Sequence, residues 1–297
     1  MPWQAPQRMY DLYNESAIAL PQHKVIGVDT PIIAWSSQMV AEIDNGDNTT
    51  TSFTFSYDEP LPDYVTQKLR KAYYASISYV DELIGDILQA LDDAGAKNNT
   101  IIVFHADHGY QLGEHGMWEK KSNWDLAVRV PLMIHMPGVT GGVKTMSLME
   151  LVDVGPTMSA LAGLPSMPGA DGIDQSAVIY DETVSLKQYT YHQFPCCGDD
   201  HRWDVPRIVC YNDDKHTFWA MGYTVRGEDY RYTRWIHWDN TTLAGKWDDV
   251  DFAEELYDHT GDDSTSFDAW ENENIAASNP QKAQELYGVL RSFFDKQ

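Results

Sequence analysis

The residues best able to do chemistry stand together between positions 105 and 121. Asp107-His108-Gly109 comes directly after Ile101-Ile-Val-Phe-His, and Leu112-Gly113-Glu114-His115-Gly116 and Trp118-Glu-Lys120-Lys121 follow at once. An Asp beside a His offers one hard oxygen donor and one imidazole, a pair suited to a divalent ion or to general acid catalysis. Three histidines (His105, His108, His115), two lysines and three glycines share this stretch, a mixture that a purely structural loop rarely needs. Plainer readings stand beside the chemical one. A strand-end Asp is often a turn former, His115 could equally be a satisfied core histidine, and Lys120-Lys121 a solvated face.

The element that must present Asp107 and His108 is the β-branched run Thr100 to Phe104, too brief and too continuous for a helix. It reads as a buried, parallel strand, because a helix of crossover length precedes it. That helix is expected over about 63–94, where Val65, Leu69, Ala72, Tyr73, Val80, Leu83, Ile84, Ile87, Leu88 and Leu91 recur at three- and four-residue steps, as one buried face requires. Asp63 suits its N-cap and Gly95 its stop. In open α/β sheets, ligands collect outside the carboxyl ends of strands, which is where Asp107 and His108 fall. Gly109 there lets the backbone turn sharply or approach a ligand closely.

A second strand is expected over Val128 to Met136, and a helix within Leu148 to Leu161 that starts near Asp153 and Pro156. This order points to an open α/β sheet. Phe218 to Trp238 alternates as a hairpin would, and 281–294 closes the chain as a helix after Pro280. Residues 1–60, rich in proline and carrying the turn signal Asn45-Gly-Asp-Asn, read as an extended segment wrapped on a core built elsewhere. A boundary near Pro195-Cys-Cys-Gly divides 1–195, the α/β part, from a smaller subdomain over 196–297.

Composition narrows the classes. Of 297 residues, 43% are hydrophobic, which argues against intrinsic disorder. The 45 acidic residues against 21 basic ones give a formal charge of -24, the reverse of a nucleic-acid-coating protein. An anionic substrate must therefore be held by a few local cations. No apolar run approaches the roughly 18 residues of a membrane helix, so no membrane partner is expected. Cys196, Cys197 and Cys210 lie in one stretch, which suits a disulfide from Cys210 to Cys196 or Cys197 with one thiol left over, and the spacing matches no common zinc pattern. Sequons at Asn14, Asn48, Asn98 and Asn240 lean towards a glycoprotein on the secretory route.

Taken together, Asp107-His108-Gly109, Leu112-Gly113-Glu114-His115-Gly116, Trp118, Lys120 and Ser122-Asn123 resemble the second metal-site region of the type I sulfatases, nearest the iduronate-2-sulfatase group. The likeness extends upstream through Tyr74 to Asp81 and downstream through Val130-Pro131-Leu132, Met136-Pro137-Gly138, Val152-Asp153, Pro156-Thr157 and Leu161-Ala162-Gly163. In the tail it covers Met221-Gly222-Tyr223, Tyr230-Arg231-Tyr232 and Glu255-Leu256-Tyr257-Asp258, while Tyr110 stands where that group commonly has tryptophan. The resemblance implies an alkaline-phosphatase-like open mixed sheet flanked by helices, with a C-terminal antiparallel-sheet subdomain. It also implies hydrolysis of a sulfate ester on a sulfated uronate or related saccharide, as in glycosaminoglycan degradation, with a bound calcium ion. By position it assigns Asp107 and His108 to the metal, Lys120 and His108 to catalysis, and Lys120, Tyr110 and His115 to the substrate. A lysosomal or secreted location follows from the same likeness.

The nucleophile of these enzymes is a formylglycine made from a cysteine in Cys-x-Pro-Ser-Arg, and none of Cys196, Cys197 and Cys210 sits in such a motif. The early Asp-Asp pair that supplies further metal carboxylates is not matched either: Asp92-Asp93 ends a helix, and Asp199-Asp200, Asp213-Asp214, Asp248-Asp249 and Asp262-Asp263 lie in polar tail segments. The expectation is a C-terminal part of a longer sulfatase, whose N-terminal part would be its partner. Alone, such a chain is expected to be poorly soluble and inactive. Two other readings compete. One is a metal-dependent phosphodiesterase or phosphatase of the same superfamily; the other is a non-catalytic remnant that binds sulfated sugar. Trp203, Arg207, Arg231, Arg234, Trp235 and Trp238 could line a sugar subsite or simply pack the tail sheet.

Overall fold

A computed structural model describes residues 3–36, 41–44, 46, 49–198, 201–207, 210 and 213–294. The turn at Asn45, Asp47 and Asn48 (with its sequon), the Asp199-Asp200 pair and Met1-Pro2 therefore lie outside the described residues. In chain order the elements are β1 (Ala41–Asp44), β2 (Thr50–Phe53), α1 (Asp63–Asp93), β3 (Ile102–His105), β4 (Gln111–Leu112), β5 (Trp118–Glu119), α2 (Asp125–Val128) and β6 (Leu132–His135). They continue with α3 (Val154–Leu161), β7 (Thr190–Cys196), β8 (Ala220–Arg226), β9 (Tyr230–Asp239), β10 (Ala244–Gly245), β11 (Ala253–Asp258) and α4 (Pro280–Phe294). The chain groups into two compact units, one of Met1–Tyr79, His108–Arg129 and Tyr191–Gln297, the other of Val80–Asp107 and Val130–Thr190. The sequence boundary near 195 falls at the end of β7.

The first unit is built on the sheet β10-β9-β8-β7, with β11 also pairing β9. The alternation over 218–238 does form an antiparallel hairpin, β8 against β9, with Thr224 opposite Thr233 and their hydroxyls 2.8 Å apart. Both faces of this hairpin are covered. Tyr223 meets Phe294 of α4 at 4.6 Å, while Gly222 and Trp235 turn the other way towards Asn123. The helix α4 commits Ala283, Leu286 and Leu290 to burial, one stripe at helical spacing. On the opposite side, Ile33, Ala34, Trp35, Met117 and Trp124 join Ala220, Trp235 and Tyr257 in one core. The proline-rich beginning is thus held by what it covers: Ala41, Ile43 and Leu61 pack with Val65, Leu69, Leu112 and Trp118. Cys197 and Cys210 form the disulfide, and Cys196 is the buried free thiol.

The second unit corrects two expectations. β3 is antiparallel, not parallel: Ile102 faces His135 and Phe104 faces Met133 of β6. It is also half-buried rather than buried, and β6 is shorter than expected because Asp125–Val128 coils into a helical turn that Pro131 follows. Among the described residues of this unit, Leu161 is the one buried apolar side chain. The helix α1 explains why. It has the expected span, but only its first half buries the apolar face, through Val65, Leu69 and Ala75. From Val80 onward the same face is open, with Ile87 68% exposed. No helix among the described residues is long and apolar enough to cross a membrane.

Candidate active site

β4 and β5 form a two-rung hairpin in which Gln111 faces Glu119 and Leu112 faces Trp118. Continuing that register by one residue brings Tyr110 opposite Lys120. The intervening turn needs left-handed backbone three times, at Gly113 (φ 105°), His115 (φ 56°) and Gly116 (φ 69°). Two of these are glycines, which take that conformation without steric cost. The third, His115, is secured by its surroundings. Its ring stacks on Trp124 at 4.3 Å, its Nε2 pairs with Asn272 Oδ1 at 3.1 Å, and its amide donates to the His23 carbonyl at 2.8 Å. It is 1% exposed, and burial pushes its imidazole below the ordinary value against the pull of Glu271 and Asp268. Beside it, Glu114 accepts the Leu112 amide at 2.6 Å and meets Arg70 of α1 at 3.3 Å.

Lys120 and Tyr110 are brought together: the ammonium nitrogen lies 5.9 Å from the centre of the Tyr110 ring, within cation–π range. Tyr110 belongs to an aromatic wall, 5.2 Å from Tyr73 and 5.9 Å from Trp3 between ring centres. Burial first, then Glu119 and Tyr73, raise the Tyr110 phenol, so it stays a neutral hydrogen-bonding group at working pH. Partial burial and the neighbouring Lys120 lower the Lys121 ammonium, against the pull of Glu119.

His108 Nδ1 sits 2.7 Å from the Gly109 carbonyl, which selects the tautomer with the proton on Nδ1 and the lone pair on Nε2. Gly109 is required by a close approach, though to protein and not to a ligand. A Cβ there would lie 2.1 Å from the Leu126 carbonyl oxygen of α2, and its amide donates to Ala127 at 2.9 Å. Asp107 is exposed just past the end of β3, in the other unit. Calcium takes about six to eight oxygen ligands. The exposed Asp107 carboxylate is one such oxygen donor, whereas the His108 imidazole offers nitrogen, so the donors present fit a small part of such a centre and not the whole.

Among the described residues, two other sets of possible metal ligands converge within 4.8 Å: Cys197, Cys210 and Asp213, and Asp125, His259 and Asp262. The first contains the disulfide. The second is already neutralised, since Arg129 reaches Asp125 at 3.2 Å and Asp262 at 2.7 Å, and Arg226 approaches both at 3.6 Å. Burial would push Asp262 up, but the Ser264 amide and Arg129 hold it below the usual carboxylate range. This is an ion-pair network.

Local sequence reading missed the groups that hold the site from behind. Glu271 accepts the Asp125 amide at 2.9 Å, pairs with Arg231 and faces His259 at 3.3 Å. Arg207 and Ser36 both donate to the Lys121 carbonyl, at 2.5 and 3.0 Å. These partners are separated from the loop by 85 residues or more in sequence, so no local spacing could reveal them. Of the tail residues considered for a sugar subsite, Trp235, Arg231 and Arg207 are buried and pack the sheet, whereas Trp203, Arg234 and Trp238 remain partly exposed. The cysteines offer no nucleophile: two are joined, and burial pushes the Cys196 thiol up to about 12, Arg207 opposing.

The chain is similar to known proteins. Mouse (Mus musculus) iduronate 2-sulfatase is 32% identical over 86% of this chain and 53% of its own length. The structure of a 2-O GAG sulfatase superposes with a TM-score of 0.60 at 22% identity, covering 79% of this chain and 44% of that one. Phosphonate monoester hydrolase of Agrobacterium radiobacter gives 0.57 at 23% identity, covering 80% and 43%. The two structures share an alkaline-phosphatase-like fold with this chain, and the chain spans about half the length of the curated relatives it matches. The Sulfatase family model matches residues 3–164, more than half of the sequence, and the chain belongs to that family.

Proposed function

We propose that this chain contributes the Lys120 side of a sulfuric ester hydrolase site of the iduronate-2-sulfatase type, acting on a sulfated saccharide of glycosaminoglycan. The carrying observation is the Lys120 ammonium held 5.9 Å from the centre of the Tyr110 ring beside the β4–β5 hairpin. In a protein of net charge -24, an anionic group needs such a fixed cation. Lys120 would grip the sulfate oxygens and offset charge on the leaving group. The wall of Tyr110, Tyr73 and Trp3 would give the sugar ring an apolar face. His108, its Nδ1 engaged by Gly109, would exchange a proton at Nε2. Asp107 would supply an oxygen to a calcium site, where the ion supplies Lewis-acid stabilisation when bound; His108 Nε2 would serve that ion or carry a proton, not both at once. His115 would act from behind, by fixing the turn that carries Lys120.

The named relatives support the substrate class, since one is an iduronate 2-sulfatase and another a 2-O GAG sulfatase. The likeness to a phosphonate monoester hydrolase favours a second reading, a phosphoryl-type ester, because that fold hosts both anions. The disulfide and the exposed sequon residues Asn14, Asn98 and Asn240 fit a secretory, glycosylated protein of the lysosome or the exterior. With no Cys-x-Pro-Ser-Arg motif, the chain alone is expected to give no turnover of aryl sulfate.

The test is ligand-induced stabilisation in the full chain with calcium present. Inorganic sulfate and a 2-O-sulfated disaccharide should raise the unfolding temperature of the unaltered chain and leave Lys120→Met unchanged. Equal shifts in both proteins, or none in either, would refute the proposal. Methylphosphonate shifting the chain more than sulfate would favour the phosphoryl reading.

A further inference from the structure

Arg207 is a buried cation with no carboxylate paired directly to it among the described residues. It is 4% exposed, and its guanidinium hydrogen bonds go to the Lys121 carbonyl at 2.5 Å, Ser36 Oγ at 2.8 Å and the Pro195 carbonyl at 3.4 Å. Among the described residues no carboxylate lies within ion-pair distance, and Nε has no partner. Its flat faces are covered by Phe194 at 4.6 Å and Trp235 at 5.7 Å. Burial draws its guanidinium down to about 10, Cys196 and Glu255 opposing. Enclosing a charge without its counter-ion costs stability, and an apolar side chain of similar volume would fill the same space more cheaply.

What the charge secures is the turn behind Lys120. Ser122 donates its amide to the Lys120 carbonyl at 2.9 Å, and the next carbonyl, that of Lys121, receives both Arg207 and Ser36. The segment that carries Arg207 is itself pinned: its amide donates to the Trp35 carbonyl at 3.0 Å, and Trp203 accepts from Ile33 at 3.1 Å. Three residues further on, Cys210 closes the segment onto Cys197.

We propose that Arg207 is a positioning residue for the Lys120–Lys121 turn, and that the Cys197–Cys210 disulfide fixes the segment from which it acts. The role of this turn in anion binding rests on the function proposed above; its positioning by Arg207 does not.

The experiment is amide hydrogen exchange over residues 111–123 of the full chain, combined with amine acylation of Lys120 with and without inorganic sulfate. Arg207→Met keeps the volume and removes the charge. It should speed exchange over 118–123 roughly tenfold to a hundredfold, the loss of a charge-assisted hydrogen bond, and raise the sulfate concentration that half-protects Lys120 by a similar factor. Arg207→Lys, which keeps the charge and loses the fork, should recover most of this. The double variant Cys197→Ser with Cys210→Ser should loosen the same peptide. Unchanged exchange in Arg207→Met, or an equal rise across β8 and β9, would overturn the proposal. Should that variant not fold, Arg207→Lys must show a smaller rise confined to 118–123, and none would be equally fatal. Failure of sulfate to protect Lys120 in the unaltered chain would instead count against the proposed function, leaving the exchange result standing.

Discussion

Tyr110 and Lys120 stand across the β4–β5 hairpin from each other, the ammonium nitrogen 5.9 Å from the ring centre. Two half-buried groups so placed restrain each other, since the ring face attracts the cation and the cation limits rotation of the ring. Tyr110→Leu should therefore free Lys120, raising its acylation rate and weakening sulfate binding by about twofold to fivefold, equivalent to 0.5–1 kcal/mol. Tyr110→Trp offers a stronger ring face and should hold or tighten binding. Acylation of Lys120 followed by mass spectrometry reads both variants, and faster labelling in the tryptophan variant than in the leucine one would refute the pairing.

Gly109 is constrained by the 2.1 Å between a would-be Cβ and the Leu126 carbonyl oxygen, an obstacle of backbone and not of a movable side chain. Gly109→Ala should destabilise the first unit by at least the ~1–3 kcal/mol typical of overpacking. Gly141→Ala, where nothing lies within 4 Å, is the control. Denaturant midpoints of the two variants should separate clearly; coincident midpoints would mean that Gly109 has room.

Helix α1, the β8–β9 hairpin and α4 were legible because each writes its burial into a local period. The site hairpin was legible as a motif, and its turn chemistry as glycines. The hand of β3 was not, because a continuous apolar run carries no information about its partner: β6, some 30 residues on, pairs with it antiparallel. The supports of the Lys120 turn were hidden for the same reason. Ser36, Arg207, Glu271 and Asn272 reach it from far along the chain, and only tertiary structure brings them there.

Glu271 carries the most demanding of these contacts. Burial would raise its carboxyl, but Arg231 and His259 outweigh that and hold it below the ordinary range. A carboxyl with a depressed folded value contributes stability that is present above its unfolded value, near 4, and is lost as pH falls through the folded value. Glu271→Gln leaves Arg231 facing Glu255 alone and should cost about 3–5 kcal/mol at neutral pH. Lys282→Ala breaks an exposed pair of 2.7 Å and should cost under about 1 kcal/mol. Chemical denaturation at pH 7 compares them, and similar losses would show that the buried network is no stronger than a surface pair.

His115 gives stability the same direction in pH over a higher window. Its folded value is lowered, chiefly by burial, so the unfolded chain takes up a proton first as pH drops below about 6.5. Stability from this group is fully present above that value and declines as pH falls towards the folded one. His115→Asn, a residue that tolerates the left-handed φ of 56°, should lower stability at pH 8 and flatten the slope between pH 7 and 5. Denaturant midpoints across that range are the measurement. A slope as steep as that of the unaltered chain would place the titrating group elsewhere.

The open half of α1 bears on how the chain behaves in solution. At 100° per residue, Val80, Leu83, Ile84, Ile87, Leu88 and Leu91 fall within an arc of roughly 140°, and Val80, Leu83, Ile87 and Leu88 are between 41% and 68% exposed. Asp81, Glu82, Asp86, Asp92 and Asp93 occupy the rest of the circumference, so this is an amphipathic helix whose apolar side is in large part exposed among the described residues. A contiguous apolar stripe of this kind promotes association, and a net charge of -24 opposes it only at low salt. The chain should bind a hydrophobic dye and self-associate as salt rises. Leu83→Glu with Ile87→Glu should suppress both, while stability changes by no more than about 0.5 kcal/mol per site, as for exposed positions. Sedimentation velocity at low and high salt decides it. Association unaffected by the double substitution would place the sticky surface elsewhere, and a large loss of stability would show that this face is packed rather than open.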